Sequence, residues 1–134
     1  MHKMRVNQLV LDLIIEPDGP LLIKSGNESG ADPTLPSMNF VRTQHPISGE
    51  QTIYLPGASL KGVIRSHSER ILRSLLPENE RNCCDPLDRR SNCGTRTRNE
   101  RDTARQYEQL CLACRLYGHT THYSHFLAAD AYPT

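Results

Sequence analysis

Apolar positions fall into distinct patterns along this chain. From Val6 to Ile15 they are nearly continuous: Val6, Leu9, Val10, Leu11, Leu13, Ile14 and Ile15 have few polar residues between them. Such a β-favouring run predicts a first strand over 5–15, covered on much of both faces. Glu16-Pro17-Asp18-Gly19-Pro20 breaks it, and Leu21 to Lys24 predicts a short second strand. Met38 to Arg42 and Gln51 to Leu55 predict a hairpin through His45-Pro46-Ile47-Ser48-Gly49-Glu50, where Ser-Gly suits the turn. The period then changes. Leu60, Val63, Ile64, His67, Ile71 and Leu75 share one arc at about 100° per residue, which predicts a helix laying that arc on a sheet. Pro56-Gly57 opens this helix, with Ala58 or Ser59 as cap, and Pro77 ends it near Leu76. Phe126 to Ala129 predicts a final strand.

Between these patterns lies a stretch with none. Glu78 to Tyr107 is dense in charge, with Arg89, Arg90, Arg96, Arg98, Arg101 and Arg105 among Asp85, Asp88, Glu100 and Asp102. Without apolar periodicity it is expected to be a solvated insertion with no core of its own. Composition agrees with much loop: 37% of the 134 residues are hydrophobic, and Trp is absent. The length predicts a single domain over 1–134 with a modest core. A net charge of only +1 argues against a generally basic, nonspecific nucleic-acid binder, so any nucleic-acid site must be a local patch. No apolar run is long enough for a membrane span, and the N-terminus lacks a signal-peptide layout, so no membrane partner and a cytoplasmic location are expected.

Five cysteines in a reducing compartment point to metal or free thiols rather than a disulfide framework. Cys83, Cys84 and Cys93 precede the pair Cys111 and Cys114, whose spacing is C-x2-C; 17 residues separate Cys93 from Cys111, as in a zinc ribbon. Adjacent cysteines rarely share one ion, so either Cys83 or Cys84 is spare; Cys83 is put first as the ligand with Cys93, Cys111 and Cys114, and Cys84 stays open in its place. His67, in the middle of the helix's apolar arc, is a further candidate ligand or else a hydrogen-bonded core histidine. A structural Zn²⁺ would staple the polar insertion with on the order of 10 kcal/mol of folding free energy. Four protein ligands leave no place for a catalytic water. A redox role for the C-x2-C is the minor alternative, and it needs a thiolate-stabilising helix start. His119, His122 and His125 recur every third residue, but their Thr, Tyr and Ser neighbours predict a loop carrying surface histidines.

The start of the helix carries a second constellation. Lys61 and Arg65 stand one turn apart beside Ser59, where free N–H groups and the positive end of the dipole favour an anion. Phosphate binding and a solvated basic edge both fit. Leu55-Pro56-Gly57-Ala58-Ser59-Leu60-Lys61-Gly62-Val63-Ile64-Arg65 resembles the signature of the RAMP superfamily (repeat-associated mysterious proteins), the RNA-binding subunits of CRISPR effector complexes. Cys111-Leu112-Ala113-Cys114-Arg115-Leu116-Tyr117-Gly118 is similar to a C-x-x-C-x-L-[FY]-G segment of the subunits that form the repeating backbone of type III complexes, where a zinc site staples such a loop. Leu22-Ile23-Lys24-Ser25-Gly26 resembles the small Gly-containing segment after the family's first strand.

The resemblance implies an α+β, ferredoxin-like (RRM-type) core with a zinc-stapled insertion at about 78–114. It implies guide CRISPR RNA, target RNA and other CRISPR effector subunits as partners. RNA contacts would come from Ser25, Gly26, Gly57, Ser59, Lys61 and Arg65. It also implies target cleavage by an Asp in the loop after the first strand, with Mg²⁺ or another divalent ion, and Asp32 is the positional candidate. A ferredoxin-like core needs a second helix and a closing strand beyond those read here, so the expectation is a fragment or a piece completed by a partner. Two other readings stand beside this one. One is a metal-independent CRISPR RNA-processing endoribonuclease of the same superfamily, using His45 or His119 as general acid/base. The other is a zinc-stapled interaction module that binds no RNA.

Overall fold

A computed structural model describes residues 7–24, 40–76 and 82–133. The chain divides into two compact units, Met1–Tyr54 with Tyr132–Thr134, and Leu55–Ala131.

In the first unit the expected hairpin forms. Strands β1 (Arg42–Gln44) and β2 (Gln51–Ile53) pair antiparallel, Thr43 opposite Thr52. Gly49 closes the turn at φ 72°, in the left-handed region that glycine enters without steric cost, and its N–H donates to the His45 carbonyl at 2.9 Å. His45 Nδ1 accepts the N–H groups of Ile47 (3.3 Å) and Ser48 (3.2 Å), so this histidine organises the turn. Its ring meets Tyr132 edge-on at 5.0 Å. The expected second strand is reduced to one antiparallel bridge between Lys24 and Phe40.

The first strand expected over 5–15 does not form among the described residues. Residues 7–16 have no ladder, and Leu9, Val10, Leu11, Leu13 and Ile14 are exposed. A strand exists through its neighbours, and β propensity without a pairing partner does not make one.

The second unit holds four helices among the described residues: α1 (Gly57–Leu75), α2 (Cys93–Arg96), α3 (Thr103–Gln109) and α4 (Leu112–Tyr117). Pro56 is the N-cap of α1, and no side chain caps that end. Asn92 and Asp102 cap α2 and α3 through their side-chain oxygens. The strand expected over 126–129 is absent; instead Ala131 exchanges two backbone hydrogen bonds with Leu55, at 2.9 and 3.0 Å. Asp130 Oδ1 accepts the Gly57 N–H at 2.7 Å. Gly57 is buried against this segment, and a Cβ there would collide with the Ala128 carbonyl.

The face of α1 that packs is not the expected one. Val63 and Leu75 are 70% and 75% exposed, and His67 is exposed too. The chain's own burial is on the side of Arg65, Ser68, Glu69 and Leu72, which faces α4. Ser68 Oγ and Tyr117 Oη are 2.8 Å apart across that contact. Buried Glu69 is tolerated because Arg65 (2.8 Å) and Arg73 (3.6 Å) flank it at i−4 and i+4.

The core joins two residues of the polar stretch to the C-x2-C segment that follows it. Cys84, Cys93, Leu110, Cys111, Ala113 and Cys114 form the buried cluster, with Leu72 and Cys83 packed on it. No apolar period marked it, because the residues that converge are cysteines and short helix ends rather than one long face.

Candidate metal centre

Four cysteines make this core a site. The Sγ atoms of Cys84, Cys93, Cys111 and Cys114 all lie within 4.8 Å of one another, and all four residues are buried. Each is placed by a local device. Cys84 lies in the loop after α1, and Cys93 starts α2 behind its Asn92 cap. Cys111 is itself the N-cap of α4, its Sγ accepting the Cys114 N–H at 3.4 Å, so the C-x2-C spans the first turn and both sulfurs face inward. The Cys111 N–H donates to Cys93 Sγ at 3.2 Å and links the two halves.

These residues fit a metal. Zn–S bonds of about 2.3 Å in a tetrahedron require sulfurs about 3.8 Å apart, and Cys84 and Cys114 stand at 3.8 Å. Every cysteine is a free thiol, so no disulfide competes for the sulfurs. Four soft thiolates select zinc or an iron–sulfur type of ion over hard cations. Hydrogen bonds among the four thiols, led by that from Cys111, hold Cys93 far below the usual thiol range. The bond from Cys114 brings Cys111 down to about 6, while Cys84 and Cys114 are pushed up, each chiefly by its bond to Cys111. Four thiols this close cannot all ionise without a cation among them.

Cys84 therefore takes the place expected for Cys83. Cys83 is only partly buried, its Sγ lies 3.7 Å from the Cys84 carbonyl, and burial pushes its thiol up. Adjacent side chains diverge, so one member of the pair turns inward. His67, on the exposed side of α1, lies outside the cluster; a histidine at that position meets solvent, not the cysteines.

Two arginines that spacing did not single out for this role reach the sulfurs. Arg96 Nη2 donates to Cys93 Sγ at 3.0 Å. Arg65 Nη2 donates to Cys114 Sγ at 3.8 Å, while its Nη1 donates to the Gly118 carbonyl at 3.0 Å and its Nε to Glu69 at 2.8 Å. Burial alone would lower the Arg65 guanidinium, but the bond and charge of Glu69 push it up. The Arg65-Glu69-Arg73 ladder is visible in sequence as an i, i+4 series; its direction toward the cysteines is not.

The histidines are gathered rather than scattered. His119 and His122 form an antiparallel bridge with rings 6.1 Å apart, and His122 is buried. Tyr107 lies 5.6 Å from the His122 ring and 5.5 Å from that of His125, with the Arg115 guanidinium 5.4 Å from its centre. Gly118, at φ 75°, permits this return, since a Cβ would meet the His122 carbonyl at 2.7 Å. Burial lowers His119, with the charge of Arg65 adding to it.

Of the expected RNA contacts, Ser59 is exposed and Lys61 half-buried on the first turns of α1. Gly57 is inside, its N–H taken by Asp130. Ser25, Gly26 and Asp32 lie outside the described residues.

The family model for the RAMP superfamily matches residues 14–134, through both the helix start and the C-x2-C segment. This chain belongs to the RAMP superfamily. Neither a curated protein nor a solved structure matches it. Membership points to a CRISPR-associated RNA-binding role for this RAMP protein. No helix among its described residues is long and apolar enough to cross a membrane.

Proposed function

We propose that this RAMP protein binds guide RNA as a subunit of the repeating backbone of a type III CRISPR effector complex. The observation that carries this reading is the open start of α1. With Pro56 as cap and no side-chain cap, the N–H groups of Ala58 and Ser59 have no partner among the described residues. Ser59, exposed, and Lys61, half-buried, belong to the same first turns and bring a hydroxyl and an ammonium to that end of the helix. Two N–H donors, a helix dipole and a cation form a phosphate cradle. Phosphate contacts of this kind bind a backbone without reading its sequence, as a guide of varied spacer requires. Asp130 fixes the Gly57 turn from behind, and Arg65 keeps α1 seated on the cysteine centre.

Zinc in this reading is structural: four thiolates fill its coordination, and it supplies folding free energy to the 82–117 region. Target-RNA cleavage by Asp32 with a divalent ion, and groove contacts from Ser25 and Gly26, belong to the same reading. His45 supports the processing-nuclease alternative poorly, since its Nδ1 is occupied in the hairpin turn.

The test is to purify the protein with its native partners and sequence the RNA that accompanies it. Discrete RNAs with a repeat-derived end and varied spacers are expected. No RNA, or random cellular RNA, would overturn the reading. If guide RNA is present, Asp32→Ala is then expected to stop target cutting while leaving guide binding intact.

A further inference from the structure

Two guanidinium groups converge on the cysteine cluster from elements far apart in sequence, and they do not duplicate one another. Arg65, in the middle of α1, reaches Cys114 Sγ at 3.8 Å. Arg96, the last residue of α2, reaches Cys93 Sγ at 3.0 Å. Arg65 cannot swing away freely, because Glu69 and the Gly118 carbonyl hold its other nitrogens, and Glu69 is in turn flanked by Arg73. The remaining sulfurs have other surroundings: Cys111 Sγ accepts the Cys114 N–H, and Cys84 Sγ lies against Cys114 Sγ.

The charges explain why two cations belong here. A divalent ion on four thiolates leaves two negative charges in a buried cluster. Uncompensated charge in such a place is costly. Arg65 and Arg73 share the one carboxylate of Glu69, so that group and Arg96 together supply the two positive charges that balance the centre, and each N–H···S bond draws electron density from one particular sulfur.

We infer that Arg65 and Arg96 act as N–H donors to the Cys114 and Cys93 thiolates, helping to balance the charge of the metal-loaded centre and shielding those two sulfurs from electrophiles. Neither is a ligand. The first-helix arginine thereby ties the phosphate-binding end of the protein to the metal centre. This inference rests on the four cysteines holding a divalent ion.

Its test uses the full chain, comparing wild type, Arg96→Met, Arg96→Lys and Arg65→Met. Zinc content is measured first, then Zn²⁺ affinity by competition with a chromophoric chelator. Modification by N-ethylmaleimide is then followed cysteine by cysteine with mass spectrometry. Losing a hydrogen-bond partner behind a metal ligand typically costs 10–100-fold in metal affinity, so each Met variant is expected to fall by about that factor. Modification should accelerate first at Cys93 in Arg96→Met and first at Cys114 in Arg65→Met. Arg96→Lys, which keeps a cation and an N–H donor, should lie closer to wild type than Arg96→Met does.

A merely structural role would loosen all four cysteines together, and an unchanged order of modification in both variants overturns the inference. So do affinities within about twofold of wild type, well short of the usual range. If Arg65→Met does not fold, the Arg96 pair decides alone through the order at Cys93. Wild type that binds no divalent ion overturns the metal reading as well; zinc-loaded wild type with unmoved variants overturns only the arginine assignment.

Discussion

Cys84 Sγ and Cys114 Sγ stand 3.8 Å apart although 30 positions separate them in the chain. That pair closes the cluster across the loop that follows α1, and its neighbour Cys83 does not take part. Cys84→Ser is therefore expected to lose zinc and to unfold α2 to α4, while Cys83→Ser keeps both. Metal content and far-ultraviolet circular dichroism check this. Removing zinc from the wild type with a strong chelator should produce the same loss of helix, because metal binding and folding are coupled at on the order of 10 kcal/mol in such sites. Equal behaviour of the two serine variants would refute the assignment.

Acid should weaken this unit partly through His119. Burial, and then the charge of Arg65, lower its pKa below the unfolded value of 6.5. Below 6.5 the unfolded chain binds the proton more readily than the folded one, so stability is lost as pH falls through that value toward the folded one. The loss is absent above it. His119→Asn should show a shallower decline of melting temperature between neutral pH and pH about 5 than wild type does. Identical slopes would mean that another group controls the acid transition.

Gly57 is required by its own chain. A Cβ would strike the Ala128 carbonyl, and its N–H is held by Asp130 Oδ1 at 2.7 Å. Gly57→Ala should cost roughly 1–3 kcal/mol, the usual range for overpacking. Asp130→Ala should cost about 1 kcal/mol, as losses of a helix-start hydrogen bond do. Urea unfolding measures both, and a neutral Gly57→Ala would refute the tight packing of 128–130 on the helix start.

RNA affinity should depend on Ser59 and Lys61 with little effect on folding, since Ser59 is exposed and Lys61 half-buried. The Lys61→Ala variant should bind guide RNA more weakly at every sequence and reduce the salt slope by about one phosphate contact. Filter binding across a salt series checks it. Unchanged affinity and slope would remove the phosphate cradle from the proposed function.

What the sequence by itself determined about this protein is local. The Ser48-Gly49 turn, the helix after Pro56 and the C-x2-C pair at 111 and 114 depend on spacings of a few residues and all form, although the helix is capped by Pro56 and not by the expected Ala58 or Ser59. The motifs at the helix start and the C-x2-C segment were also enough to indicate the superfamily. The tertiary structure decided what depends on distant partners. It turned the Arg65-Ser68-Glu69-Leu72 side of α1 inward because the Gly118 carbonyl and Cys114 Sγ accept from Arg65 and the Tyr117 hydroxyl pairs with that of Ser68, and left Val63 and Leu75 exposed. Periodicity states that a helix has an apolar arc, not what lies opposite it. It chose Cys84 over Cys83, two adjacent residues that sequence cannot distinguish. It built the core from Cys84, Cys93 and the 110–114 segment, because sulfurs drawn from three segments exclude water as a cluster and not as a face.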